Sequence, residues 1–265
     1  MENADSNLFE RAFYCLLLND PKEKVAATLF FYKSLLAGKL KLQPLSEIKQ
    51  VPVPGRPAKP ELVDPRQVPR RGFSGLKARL ALAHAIAHIE FNAINLALDA
   101  VYRFQHMPRQ FYLDWCRVAA EEAQHYTMLS DYLENHGMAY GEQTAHNGLW
   151  EMAEKTADDV MVRMALVPRV LEARGLDVTP LIQQKLAQAG DANGVSLLDI
   201  IFRDEVGHVA IGSRWFRYLC EDRQLDPEST FFRLVHERFP DGLHGPYNLD
   251  ARAQAGFSAS ELKQF

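Results

Sequence analysis

Residues 117–129 read RVAAEEAQHYTML and residues 201–210 read IFRDEVGHVA. Both are helical, mostly apolar texts broken by one polar group: two acids, two further residues, then a histidine. In each, the second acid and the imidazole lie three positions apart, Glu122 with His125 and Glu205 with His208, so both side chains project from one helix face. A single pair of this kind binds a metal weakly. Two facing pairs, joined by one carboxylate from each of two further helices, supply four carboxylates and two imidazoles. Such a set suits two divalent first-row metal ions in the core of a helical bundle.

The extra acids must lie level with the pairs. Glu90 and Glu122 are equidistant from residue 106, where a short turn is predicted, each about 24 Å along its helix at ~1.5 Å per residue. They face each other across an antiparallel hairpin. Glu172 and Glu205 are centred between residues 188 and 189, beside the turn text GDANG at 190–194, so a second hairpin repeats the first. The chain thus reads as an internal repeat of acid, turn and acid-x-x-His, with Glu90, Glu122, His125, Glu172, Glu205 and His208 as metal ligands.

Around this repeat the chain reads as all-α. Residues 1–39 hold a helical pair divided by NDP, where Asn19 or Asp20 can cap and Pro21 can open the next helix. Residues 40–73 carry seven prolines and form an extended strap. Ser74 is the expected N-cap of a long helix ending near Phe104, and a second runs from Pro108 to a stop at Gly137. The third, LWEMAEKTADDVMVRMALVPRVLEARG, is expected to kink at Pro168 and end at Gly175. A short piece follows at 179–189, and the fourth long helix is VSLLDIIFRDEVGHVAIGSRWFRYLCED. The four long helices make a bundle over 74–223, and 224–265 form a tail with one more short helix, all within one compact domain. No segment alternates as a strand series.

Composition narrows the function. With 265 residues and 47% hydrophobic content the chain can bury a full core, and a net charge of -4 gives no global drive toward nucleic acid or an anionic membrane. Cys15, Cys116 and Cys220 form no CxxC pair and read as buried small residues. The acidic N-terminus does not resemble a signal peptide, and the expectation is a cytoplasmic protein that makes no use of a membrane. GxGxxG, phosphate-loop and GxSxG signatures are missing from the sequence.

The six ligand positions resemble the ferritin-like di-iron carboxylate superfamily over about residues 74–223. The acids just before each pair, Glu121 and Asp204, strengthen the resemblance, because each can accept a hydrogen bond from the non-ligating nitrogen of the histidine on the opposite helix. The segment HNGLWEMAEKTADDVMVRMALVPRVLEARGLDVTP, followed by DEVGHVAIGSRWF, is similar to an uncharacterised bacterial ferritin-like family and, more distantly, to the di-iron tRNA hydroxylases. The resemblance implies two iron ions, with manganese as the alternative, and oxygen-dependent oxidation or hydroxylation of an unknown organic substrate using dioxygen or peroxide. It places Glu122 and Glu205 as bridging ligands, Glu90 and Glu172 as terminal ones, and one histidine on each metal. With no rubredoxin-like CxxC or flavin motif in the sequence, electrons come from a separate donor or from the substrate. Iron binding or storage without an organic substrate, and manganese-dependent disproportionation of peroxide, are the other readings of the same ligands.

Several features have simpler readings. Glu172 lies four residues after Pro168 and three after Arg169, so a broken helix or an ion pair competes with ligation there. His84, His88, Asn95 and Asp99 lie on other faces of the first long helix than Glu90 and read as a polar stripe, solvated or packed on another helix. His146 reads as a structural contact and Tyr126 as packing. Arg56, Lys59, Arg66, Arg70, Arg71, Lys77 and Arg79 make a basic stretch to which tRNA is a conceivable partner, but it lacks interleaved aromatics and reads better as a solvated strap.

Overall fold

The computed structural model describes residues 6–69 and 72–265, so Arg70 and Arg71 of the basic stretch lie outside the described residues. Among the described residues the chain is predominantly helical, with one two-residue parallel pairing, β1 Ser6–Asn7 with β2 Leu40–Lys41. It divides into two compact units, the first ending at Glu154 and the second starting at Lys155.

In the first unit the helix boundaries follow local chemistry. The Asn7 side chain accepts the N–H groups of Phe9 and Glu10 to open α1, Leu8–Leu17, and Asp20 caps α2, Pro21–Leu36, with Pro21 where a missing N–H costs nothing. Helix α3, Leu76–Arg103, is not capped by Ser74: it starts after Gly75, whose φ of 78° favours glycine, and no side chain caps it. Five residues, 104–108, join it to α4, Arg109–Asn135. The two pack along each other, α1 lies on α3, and α2 lies on α4. Phe91, Ile94, Leu98, Phe111, Cys116 and Leu133 are buried within this unit.

By length and composition α3 could cross a membrane, but most of its apolar window is buried inside the protein. It also carries the polar stripe, which is packed rather than solvated. Asn95 accepts from the buried Lys24 ammonium of α2 at 2.5 Å, Asp99 accepts from both Nε and Nη2 of Arg103, and His84 accepts the Gly141 N–H. The strap is tied down by bonds from its own backbone: Gly55 N–H reaches Leu16 O, Leu45 N–H reaches Gln105, and Val63 N–H reaches Ala145 O. A β-carbon on Gly55 would lie 2.3 Å from the Leu17 carbonyl carbon, so only glycine fits where strap meets helix.

The expected third long helix is divided. Helix α5, Gly148–Lys155, stops short, and Asp159 caps a new helix, α6, Val160–Leu166. The chain then winds as a six-residue π-helical segment, Val167–Glu172, and continues as α7, Ala173–Gln188, straight through Gly175. Gly175 does not end the helix because Leu176 and Thr179 beyond it are buried against the second unit's core. Pro180 sits inside α7 and leaves the Leu176 carbonyl without its helical N–H, and the Asn248 amide donates to that carbonyl at 3.2 Å.

Gly190, with φ 75°, makes the turn, and Asp191 caps α8, Ala192–Asp222. The second turn is therefore centred on residue 190, not between 188 and 189. Glu172 stands three residues further from it than Glu205, about 4.5 Å along a helix at ~1.5 Å per residue, so the second hairpin does not repeat the first in register. Three short helices, α9 Pro227–Arg238, α10 Leu249–Gln254 and α11 Ala259–Leu262, fold the tail back onto this unit.

Candidate metal centre

The first hairpin brings Glu90, Glu122 and His125 together. Glu90 lies mid-way along α3, and Glu122 and His125 lie one turn apart on α4, where Ala119, Ala120 and Ala123 keep the surroundings small and apolar. His125 Nδ1 is 3.2 Å from Glu90 Oε2 and 3.4 Å from Glu122 Oε2. One donor atom from each of the three lies within 4.8 Å of the others. All three side chains are buried, Glu122 completely.

Burial and charge act on this group together. Burial raises the Glu90 carboxyl well above the ordinary range, and the neighbouring Glu122 charge raises it further. Burial alone would lower the His125 pKa, but hydrogen bonds and charge from Glu122 and Glu90 outweigh it and lift the imidazole to about 11. Two acids and one base removed from water therefore hold protons between them. A divalent cation performs the same neutralisation, and carboxylate oxygen with imidazole nitrogen is a donor set for such ions. The buried Glu/His group could hold a metal.

In the second unit the corresponding pair lies on α8. His208 is fully buried, and its Nδ1 is 3.8 Å from Glu205 Oε1, so both histidines turn the same nitrogen toward the acid three residues before them. Glu205 is partly buried, and Glu172 closes the π-helical segment, which packs against α8. Arg169 gives its charge to Glu261 at 2.6 Å. Glu121 is partly exposed beside Arg117, and Asp204 lies beside Arg203.

Other singled-out residues have structural roles. His88 is buried and its pKa falls to about 4, so the imidazole is neutral. Its Nε2–H donates to the His146 carbonyl, leaving Nδ1 to accept from Tyr140. His146 in turn accepts the Gly148 N–H, and Tyr126 packs edge-on against Phe91 and Tyr140. All three cysteines are free and buried. A small crevice between strap and α3, lined by Arg56, Leu62, His88, Asn92 and Tyr140, has room for about one water molecule.

Sequence reasoning missed the partners of the π-helical segment. Arg169 meets Glu261 across 92 positions, and Gly212 admits the Pro168 ring, which a β-carbon would meet at 2.3 Å. No local signal announces either contact. The one local signal near them is the text Ser258-x-x-Glu261, which the reading of the tail passed over and which forms the capping box that fixes Glu261.

The family described as "Protein of unknown function (DUF455)" matches residues 17–263. The chain is 47% identical over 253 residues to an uncharacterized protein of Haemophilus influenzae, covering 92% of this chain and 88% of that one. No solved structure matches.

Proposed function

Because the chain belongs to the DUF455 family, described only as of unknown function, we propose its function from the site itself: it is a dinuclear non-haem metal protein of the ferritin-like di-iron kind, acting as an oxygen-dependent oxidoreductase. The observation that carries the reading is the buried Glu90–Glu122–His125 group, whose acid-x-x-His arrangement recurs at Glu205 and His208 with the same ring nitrogen turned to the acid. On this reading Glu172, Glu205 and His208 complete a six-ligand set, with Glu122 and Glu205 bridging. Glu121 and Asp204 would orient the two imidazoles through their other nitrogens.

Bound iron would supply redox chemistry toward dioxygen or peroxide. The protein's part is to hold four carboxylates and two imidazoles in a dry interior and to give up protons on loading. His125, held as an imidazolium by its acids, must lose a proton to ligate, so metal affinity rises with pH and loading releases protons. Iron rather than manganese, and an organic substrate rather than iron handling, are choices that the resemblance supports.

The test is metal content per chain after anaerobic reconstitution with ferrous or manganous ion, for the natural chain, His125→Ala and Glu205→Ala. Two ions per chain, lost in both variants, support the reading. A natural chain that takes up neither metal, or a His125→Ala variant that loads fully, ends it.

A further inference from the structure

We propose that the last helix of the chain positions Glu172: Glu261 and the tail's aromatic rings hold Arg169, and Arg169 holds the π-helical turn that carries the ligand. The inference rests on the dinuclear reading above.

Arg169 is the third residue of the π-helical segment and Glu172 the last. Its guanidinium is buried. Nη2 donates to Glu261 Oε1 at 2.6 Å, and Nε donates to Ser213 of α8 at 3.3 Å. Phe231 of α9 lies 4.1 Å from the guanidinium carbon, Phe257 of the tail 4.5 Å and Phe216 of α8 4.9 Å. Next to it, the Pro168 ring rests in the space left by Gly212. Adjacent residues of one turn are thus fixed, one by charge and rings, the other by shape.

Glu261 is itself immobilised. Its Oε2 accepts the Ser258 N–H at 2.7 Å in a capping box, while Oε1 serves Arg169. Removing one partner of a buried ion pair leaves the other charge uncompensated, which is strongly destabilising. If Glu261 is removed, Arg169 loses the carboxylate that fixes it, and the turn that ends in Glu172 loses that hold.

A second buried pair provides the control. Arg252 of α10 bonds both carboxylate oxygens of Asp177, at 2.9 and 2.7 Å, and so also clasps the tail, but to α7 and not to the π-helical segment. Iron binding is measured by anaerobic ferrous titration with elemental analysis for the natural chain, Glu261→Gln, Arg252→Gln and the double variant Arg169→Gln/Glu261→Gln, with melting temperatures alongside. The expected result is about 10–100-fold weaker binding of one of two irons in Glu261→Gln, the range for losing a group that orients a ligand. Arg252→Gln should melt earlier while keeping both irons, and the double variant, in which Arg169 no longer holds the turn, should bind the second iron at least as weakly as Glu261→Gln. Should Glu261→Gln fail to fold, Ser213→Ala tests the same hold, with a loss below about tenfold.

Two irons at natural affinity in Glu261→Gln, or losses that follow melting temperature in Glu261→Gln and Arg252→Gln alike, overturn the inference while leaving the dinuclear site standing. A natural chain without iron overturns both.

Discussion

The two hairpins carry the same acid-x-x-His text on different backbones. In the first, Glu90 and Glu122 each lie 13 residues from the near end of a regular helix at the turn, Arg103 on α3 and Arg109 on α4. In the second, the acid closes a π-helical segment and stands three residues further from the turn than its partner. The positions four before the acid and four after the histidine are Ile86 and Leu129 in the first hairpin, and Pro168 and Gly212 in the second. A large residue has become glycine in the hairpin whose facing helix gained a proline ring. Regular α-helix spacing is enough to bring the acids and the histidine together in one unit; in the other, shape and long-range charge hold a less regular turn.

If the halves are chemically equivalent despite this, His125→Ala and His208→Ala should each abolish stoichiometric loading. Elemental analysis that finds a full complement of metal in His208→Ala, and none in His125→Ala, would show that the second hairpin's histidine is not a ligand.

The next largest contrast concerns buried cations. The second unit pairs Arg169 and Arg252 with acids, whereas Lys24 in the first is held by the Leu16 carbonyl and the Asn95 amide oxygen, both uncharged. Burial lowers its pKa from 10.5 to about 7. With the folded value below the unfolded one, the unfolded chain binds the extra proton between pH 7 and 10.5, so stability rises as pH increases through that window. The gain is roughly 3–5 kcal/mol, and Lys24→Met should flatten it; urea titrations at pH 7 and pH 10 measure the difference.

Opposite volume errors should separate the hairpins more finely. Leu129→Ala leaves a cavity and should cost about 2–5 kcal/mol, while Gly212→Ala drives a methyl into Pro168 and should cost about 1–3 kcal/mol. Pro168→Ala should absorb most of the second penalty and none of the first, which a double-mutant cycle by urea unfolding reads directly. Smallest is Ser258→Ala: losing the cap that fixes Glu261 should cost about 1 kcal/mol in melting experiments.

These differences also explain what could be read in advance. The helical class, the α3–α4 hairpin and the grouping of Glu90, Glu122 and His125 were legible because helix periodicity, a five-residue turn and small neighbours are local properties. The course of the third helix was not. Pro168 and Gly175 are ordinary stop signals, and they are overridden by contacts that arrive from far along the chain, the Gly212 gap and Arg169's bond to Glu261. Ser74 failed as a cap for the reverse reason, since Gly75 can take a positive φ and start the helix one residue later.

The Asn248 amide that completes α7 at Leu176 is 72 residues downstream of the carbonyl it serves. On the ribosome, the first unit's 154 residues have been made, and can begin to fold, long before that amide exists. The Leu176 carbonyl has no such partner until residue 248 has emerged. Synthesis order therefore gives the first unit the earlier start, and makes the completion of α7 at its proline a late step.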